Sequence, residues 1–248
     1  MRLRRIHLEP VGGVAGDMLL AALCDLGADT RRIERAFASL GVPRLTLRLH
    51  RVQLHGERAL AVRSIPHRAE PEHAELDDIL ATVARADASP RARRLAGRVF
   101  RLLATAEGRV HGHAAHHVHL HEVGQLDSIL DVLGIAVALD SLGMPRVTCA
   151  PLPIGSGTVK TCHGVLRCPV PAVVAIAESH RVPLEKVPVV GETVTPTGIG
   201  VVAALCWRFV RRPRGVPERL GVGAGNRRFG DRPNVIRVHG YAARRVGA

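Results

Sequence analysis

Along this chain the spacing of apolar residues switches between alternation and a helical period, and each switch marks an element boundary. Residues 3–9 read as a first strand, and residues 16–27 as a helix that opens after the glycine turn EPVGGVAGD. A second helix is predicted over 30–40, stopped by Gly41 and Pro43. In 44–54, Leu45, Leu47 and Leu49 alternate with Thr46, Arg48 and His50, as in a strand with one buried face. The run 59–65 returns across His55-Gly56-Glu57 in the manner of a hairpin. An acidic helix begins near Glu75, and Ser89-Pro90, N-cap and first helical residue, opens another that runs to about His111. Leu126, Ile129, Leu130, Leu133 and Val137 then form a helical apolar stripe, with Asp127 and Asp131 four apart on the other side.

From Val147 the pattern breaks into short strands and turns through CAPLPIGSGTVKTCHGVLRCPVPAVVAIAE, because prolines 151, 153, 169 and 171 and glycines 155, 157 and 164 interrupt longer elements. TVTPTGIG, 193–200, reads as a hydroxyl-rich turn before an apolar helix over 201–210, or as a helix cap by Thr195 with Pro196 first in the helix. A glycine-rich loop feeds a last strand over 234–238. The expected fold is α/β or α+β, a mixed sheet with packed helices and irregular Gly/Pro-rich loops in the second half. It divides into 1–145 and 146–248, or forms one continuous domain.

With 248 residues, 46% of them apolar, the chain can bury a sizeable core, built from Leu, Val, Ile and Ala since aromatics are only 2%. The net charge of +13 would ordinarily indicate a polyanionic partner. Of the 35 basic residues, however, only Lys160 and Lys186 are lysines, a bias that a GC-rich coding sequence produces. Nucleic acid is therefore not the expected partner, and aromatic platforms for bases are scarce. The five cysteines are widely spaced without a CxxC pair, which predicts a reduced, cytoplasmic chain. No apolar run is long enough to span a bilayer. Cys162, His163 and Cys168 could form a soft ligand cluster, but spacing alone favours small buried residues in strands.

The chemistry concentrates in HGHAAHHVHLHEVGQLDSILD, which places six of the fourteen histidines within eleven residues. Neutral imidazole is a common ligand of late first-row divalent ions, and carboxylates beside it complete a mixed N/O site for Ni, Zn, Co or Mn. His117, His119 and His121 alternate, so an extended segment would present all three on one face toward one ion. Glu122 joins them as metal ligand, while Asp127 and Asp131 are candidates for the chemical step or for orienting the ligands. A solvated His-rich loop and a carboxylate-favoured helix start are the bland alternatives. The turn with Gly12, Gly13, Gly16 and Asp17 could cradle a phosphate with its amides, bridged by a metal where Asp17 would repel it, or could simply begin a helix. Thr195, Thr197 and Gly198 are weaker candidates for the same ligand.

Four segments in order, EPVGGVAGDMLLAALCDLG, HLHEVGQLDSILDVLGIAVALDSLG, PLPIGSGTVKTCHGVL followed by CPVPA, and GETVTPTG, closed by GAGNRRFGDRPNVIRV, resemble the LarC family of nickel-insertion proteins. The resemblance covers most of the chain. It implies insertion of Ni(II) into pyridinium-3,5-bisthiocarboxylic acid mononucleotide, a CTP-consuming nickel chelatase (lyase) reaction that makes the nickel-pincer cofactor of lactate racemase. Glu9 stands where the family usually has an aspartate, and Val11-Gly12-Gly13 where FSG is usual. Family members are longer, and their second half is associated with the nucleotide and with metal transfer. Either a separate C-terminal partner polypeptide, with the CTP region outside this sequence, or a diverged remnant that kept only metal handling is therefore expected, and an oligomeric assembly is expected besides. The rival readings are a nickel-binding metallochaperone subunit and a zinc hydrolase built on His119, His121 and Asp127.

Overall fold

The computed structural model describes residues 3–42, 45–63, 75–112, 120, 124–230 and 232–242. Its first strand, β1 (Leu3–Pro10), alternates in facing: Ile6 and Leu8 enter the main core, and Arg5, His7 and Glu9 take the opposite side. It is an interior strand of a seven-stranded mixed sheet. The order is β2 (Leu49–Leu54), β3 (Glu57–Val62), β10 (Arg219–Ala224), β11 (Val235–Ala242), β1, β4 (Arg146–Cys149) and β9 (Cys206–Phe209). β11 runs antiparallel to β1, and β4 runs parallel to it. Two small sheets lie apart: β5 (Leu152–Ser156) with β8 (Leu184–Val190), and the hairpin of β6 (Thr158–Thr161) and β7 (Gly164–Arg167).

One face of the large sheet is covered by helices. α1 (Gly16–Leu26) lies across β10, β3 and β11, and α5 (Leu126–Ser141) packs on α1, on α2 (Thr30–Ala38) and on α4 (Pro90–His111). α3 (Leu76–Arg85), α6 (Pro171–His180) and α7 (Pro196–Leu205) pack around α4. The other face carries a small apolar cluster, with Val222, Ala224 and Val235 at its centre, and a chain of ion pairs. There Arg237 grips Glu57 with two hydrogen bonds of 2.7 and 2.9 Å, and His239 Nε2 meets Glu9 Oε2 at 2.7 Å. Glu9 is thus engaged on the sheet face opposite the helices, where His239 and Arg237 hold its carboxyl below the ordinary range.

Several elements match the pattern of the sequence. Ser89 caps α4 by accepting from the Ala92 amide at 3.1 Å, and Gly27 closes α1 in the left-handed conformation. His55 and Gly56, with φ of 48° and 81°, turn β2 into β3. Other expectations are corrected. β2 starts at Leu49 rather than at 44, and 65 lies outside the described residues. The stretch PVPAVVAIAE holds helix α6; its buried Ala172, Val173, Ala175, Ile176 and Ala177 give an almost wholly apolar run in which no helical period can be seen. The helix expected over 201–210 starts five residues earlier as α7, and Cys206 onward is strand β9. The glycine-rich stretch before the last strand is itself a strand, β10, with Gly221 and Gly223 under α1; a Cβ on Gly223 would stand 1.9 Å from the Met18 carbonyl oxygen. Among the described residues no helix is long and apolar enough to cross a membrane.

Candidate functional site

The helices α1, α5 and α7 begin near one another, at the C-terminal end of β1. α1 has no side-chain cap of its own, since Ala15 occupies the N-cap position. Its first turn is met instead by Asp131 of α5, whose carboxylate accepts from the backbone N–H of Asp17. Gly16 makes this possible, because a Cβ there would stand 2.5 Å from Asp131 Oδ2. Asp127, one turn earlier on α5, interacts with both Asp17 and Asp131.

Three carboxylates therefore share one small space. Burial pushes Asp131 well above the usual carboxylate range, and the charges of Asp17 and then Asp127 push it further. Asp17 is raised by burial, with the Met18 amide and its own amide opposing and Asp127 adding to the rise. Asp127 is raised by burial. No Arg, Lys or His among the described residues pairs with any of the three; Asn226, from the β10–β11 connection, donates to Asp17 Oδ2 at 3.3 Å. They line a cavity of about 220 Å³ whose other walls include Phe37, Leu47 and Arg63. Such a set is short of positive charge and suits a shared proton.

The glycine turn and the threonine turn build the floor beneath these acids. Val14 forms a parallel bridge to Val194, with its amide on the Thr193 carbonyl at 2.8 Å and its own carbonyl accepting from Thr195 at 3.1 Å. Gly13 and Gly198 face that junction closely, a Cβ on Gly198 falling 2.3 Å from the Val14 oxygen. The Gly12 amide donates to the Val235 carbonyl at 3.0 Å, so it is not a free donor for a phosphate. Thr195 caps α7, accepting from the Gly198 amide at 3.1 Å, which is the capping alternative of its two readings. Thr197 lies 3.4 Å from the Ser128 hydroxyl and so ties α7 to the first turn of α5.

The metal candidates His117, His119, His121 and Glu122 lie outside the described residues. Gly112 ends α4 before them, and the fully buried Leu120, between His119 and His121, accepts from the Gly124 amide at 3.0 Å just before α5. Among the described residues no three His, Cys, Asp or Glu side chains form a group that could hold a metal ion. At the end of α4, His111 sits 3.5 Å from Glu107, and its ring centroid is 4.9 Å from that of His163 in the β6–β7 turn. Sequence spacing could not show that His163, Arg63 and Asn226 approach this region, because each comes from a different part of the chain. Cys162 is exposed and Cys168 half-buried, so they are not the small buried residues the spacing favoured.

The chain as a whole is similar to known proteins. The model of a family described as "Nickel insertion protein" matches residues 6–245. A protein of Myxococcus xanthus named for nickel insertion is 42% identical over 238 residues, 95% of this chain and 60% of its own length. Similarly named proteins of Pelobacter propionicus and Rhodopirellula baltica are 41% and 36% identical, each with 59% of its length covered. The chain thus spans about 60% of the length of the curated relatives it matches. No solved structure matches it.

Proposed function

We propose, given that this chain belongs to the nickel insertion protein family, that its nickel role is the metalation of pyridinium-3,5-bisthiocarboxylic acid mononucleotide to the nickel-pincer cofactor. The observation that carries the reading is the meeting of Asp17, Asp127 and Asp131 at the starts of α1 and α5, directly after the His-rich segment in sequence. Nickel is the cargo. Neutral His117, His119 and His121 with Glu122 take up Ni(II), since imidazole binds it well and releases it by protonation or ligand exchange. The acids compensate the ion's charge from the α5 side and accept protons that leave the incoming ligand, which their raised pKa values favour.

The anionic substrate enters the cavity beside Arg63, the cation among the described lining residues. Gly12, Gly13, Gly16, Thr195, Thr197 and Gly198 shape this floor through backbone approach and capping. CTP use, and a C-terminal partner that supplies it, remain part of the proposal, as does a cytoplasmic setting.

The test is to load the tag-free protein with Ni(II), add the mononucleotide, CTP and the C-terminal polypeptide, and follow the nickel-bearing product by mass spectrometry. Product from the wild type that is lost in His119→Ala/His121→Ala is the expected result. Nickel retained by the wild type, with no product and no binding of the mononucleotide, would overturn the insertion reading in favour of a donor subunit.

A further inference from the structure

At the far end of α5 from the three acids, α3, α4, β4 and the α7–β9 junction enclose an open groove of about 1040 Å³. Asp127 and Leu139 are twelve residues apart, so the two sites are separated by about 18 Å along the helix axis. Five guanidinium groups face this groove: Arg91, Arg94, Arg98 and Arg101 from successive turns of α4, and Arg146 from β4. No carboxylate is among its described lining residues, and none of the five is in an ion pair among the described residues. Arg93, also in the lining, differs: its guanidinium donates to the Ala84 carbonyl at 2.9 Å. Codon bias accounts for how many arginines the chain has. It does not account for their gathering on one face without acids between them.

The floor narrows the choice of ligand. The partly exposed Leu80, Met144 and Leu205 make it apolar, and the half-exposed Trp207 forms its rim, with the Arg146 guanidinium 4.6 Å from the centre of the indole. A nucleic-acid backbone offers nothing to cover an apolar floor, and one indole already stacked by Arg146 is no ladder for bases. The arginine row runs from 91 to 101, about 15 Å of helix. This length, charge and apolar bed match a second helix with carboxylates along its flanks and aliphatic side chains beneath. We infer that this groove is the docking site for an acidic amphipathic segment of a partner polypeptide. Arg94 and Arg98 align its carboxylates, and the Leu80–Leu205 floor takes its apolar side.

The probe is a fluorescein-labelled helical peptide of Glu and Leu with all its leucines on one face, titrated into the full chain and read by fluorescence anisotropy. A scrambled peptide of the same composition, a DNA duplex, a single-stranded oligonucleotide and inorganic triphosphate are tested as competitors. Saturable binding of the amphipathic peptide is expected, at least tenfold weaker in Arg94→Glu/Arg98→Glu and at least tenfold weaker for the scrambled peptide. Arg94 and Arg98 are exposed, so circular dichroism and nickel titration of the variant should match the wild type and separate lost docking from lost folding. An Arg94→Gln/Arg98→Gln variant should fall between the two. The inference is overturned by an absence of saturable binding, by binding that the charge reversal leaves unchanged, or by the scrambled peptide, an oligonucleotide or triphosphate binding as tightly as the amphipathic peptide.

Discussion

Asp131 shows how one residue can serve structure and chemistry at once. It meets the uncapped start of α1, and the same position sets it against Asp17 and Asp127. Because its folded-state pKa lies above the unfolded value of about 3.8, its destabilising effect is absent below that value, grows as pH rises past it and is complete above the folded-state value. His7 acts in the opposite sense. Burial, then the nearby His239, lowers it to about 4, so the stability from its neutral form is complete above pH 6.5 and is lost as pH falls toward 4. By linkage this is worth about 3 kcal/mol. Asp131→Asn keeps an acceptor for the α1 amide and removes the charge, so thermal melts at pH 7 should show it more stable than the wild type, by about 3 °C for each kcal/mol of repulsion relieved. A variant that melts below the wild type at pH 7 would show that capping outweighs repulsion there. The pairing of Asp127 and Asp131 was legible, since four residues is one helical turn; the arrival of Asp17 was not, because it depends on how two distant helices cross.

Among the elements, those with punctuation were legible and those defined only by packing were not. Ser89-Pro90 and Gly27 announce α4 and α1 by residue chemistry that needs no neighbours. β10 reads as a loop because its glycines look like turn residues, whereas they are there to let α1 approach the sheet. α6 is hidden by being buried on nearly every side. The start of α7 had two readings, and Thr195 shows why both were open: a capping hydroxyl and a ligand-binding hydroxyl look the same in sequence. If its role is the cap, Thr195→Ala should lower stability by about 1 kcal/mol in chemical denaturation and leave Ni(II) affinity within twofold of the wild type. A large loss of nickel affinity at unchanged stability would place Thr195 in the ligand set instead.

At the scale of the whole molecule, the ordered motifs of the sequence prove to be parts of one junction. The glycine turn bridges to the threonine turn through Val14 and Val194, α5 reaches both through Asp131 and Ser128, and the tail contributes Asn226. Strands from both halves of the chain alternate in the sheet that supports it. The order of the motifs could be read from the chain, but their meeting could not. The central claim is that the histidines and the acids act on one nickel ion, and a double-mutant cycle on Ni(II) dissociation constants tests it directly. Calorimetry would compare the wild type, His119→Ala/His121→Ala, Asp127→Asn/Asp131→Asn and the combined variant. Action on one ion is expected to make the two losses strongly non-additive, with the combined variant little weaker than the histidine variant alone. Losses that simply add, or acid variants that bind nickel as the wild type does, would contradict a common site.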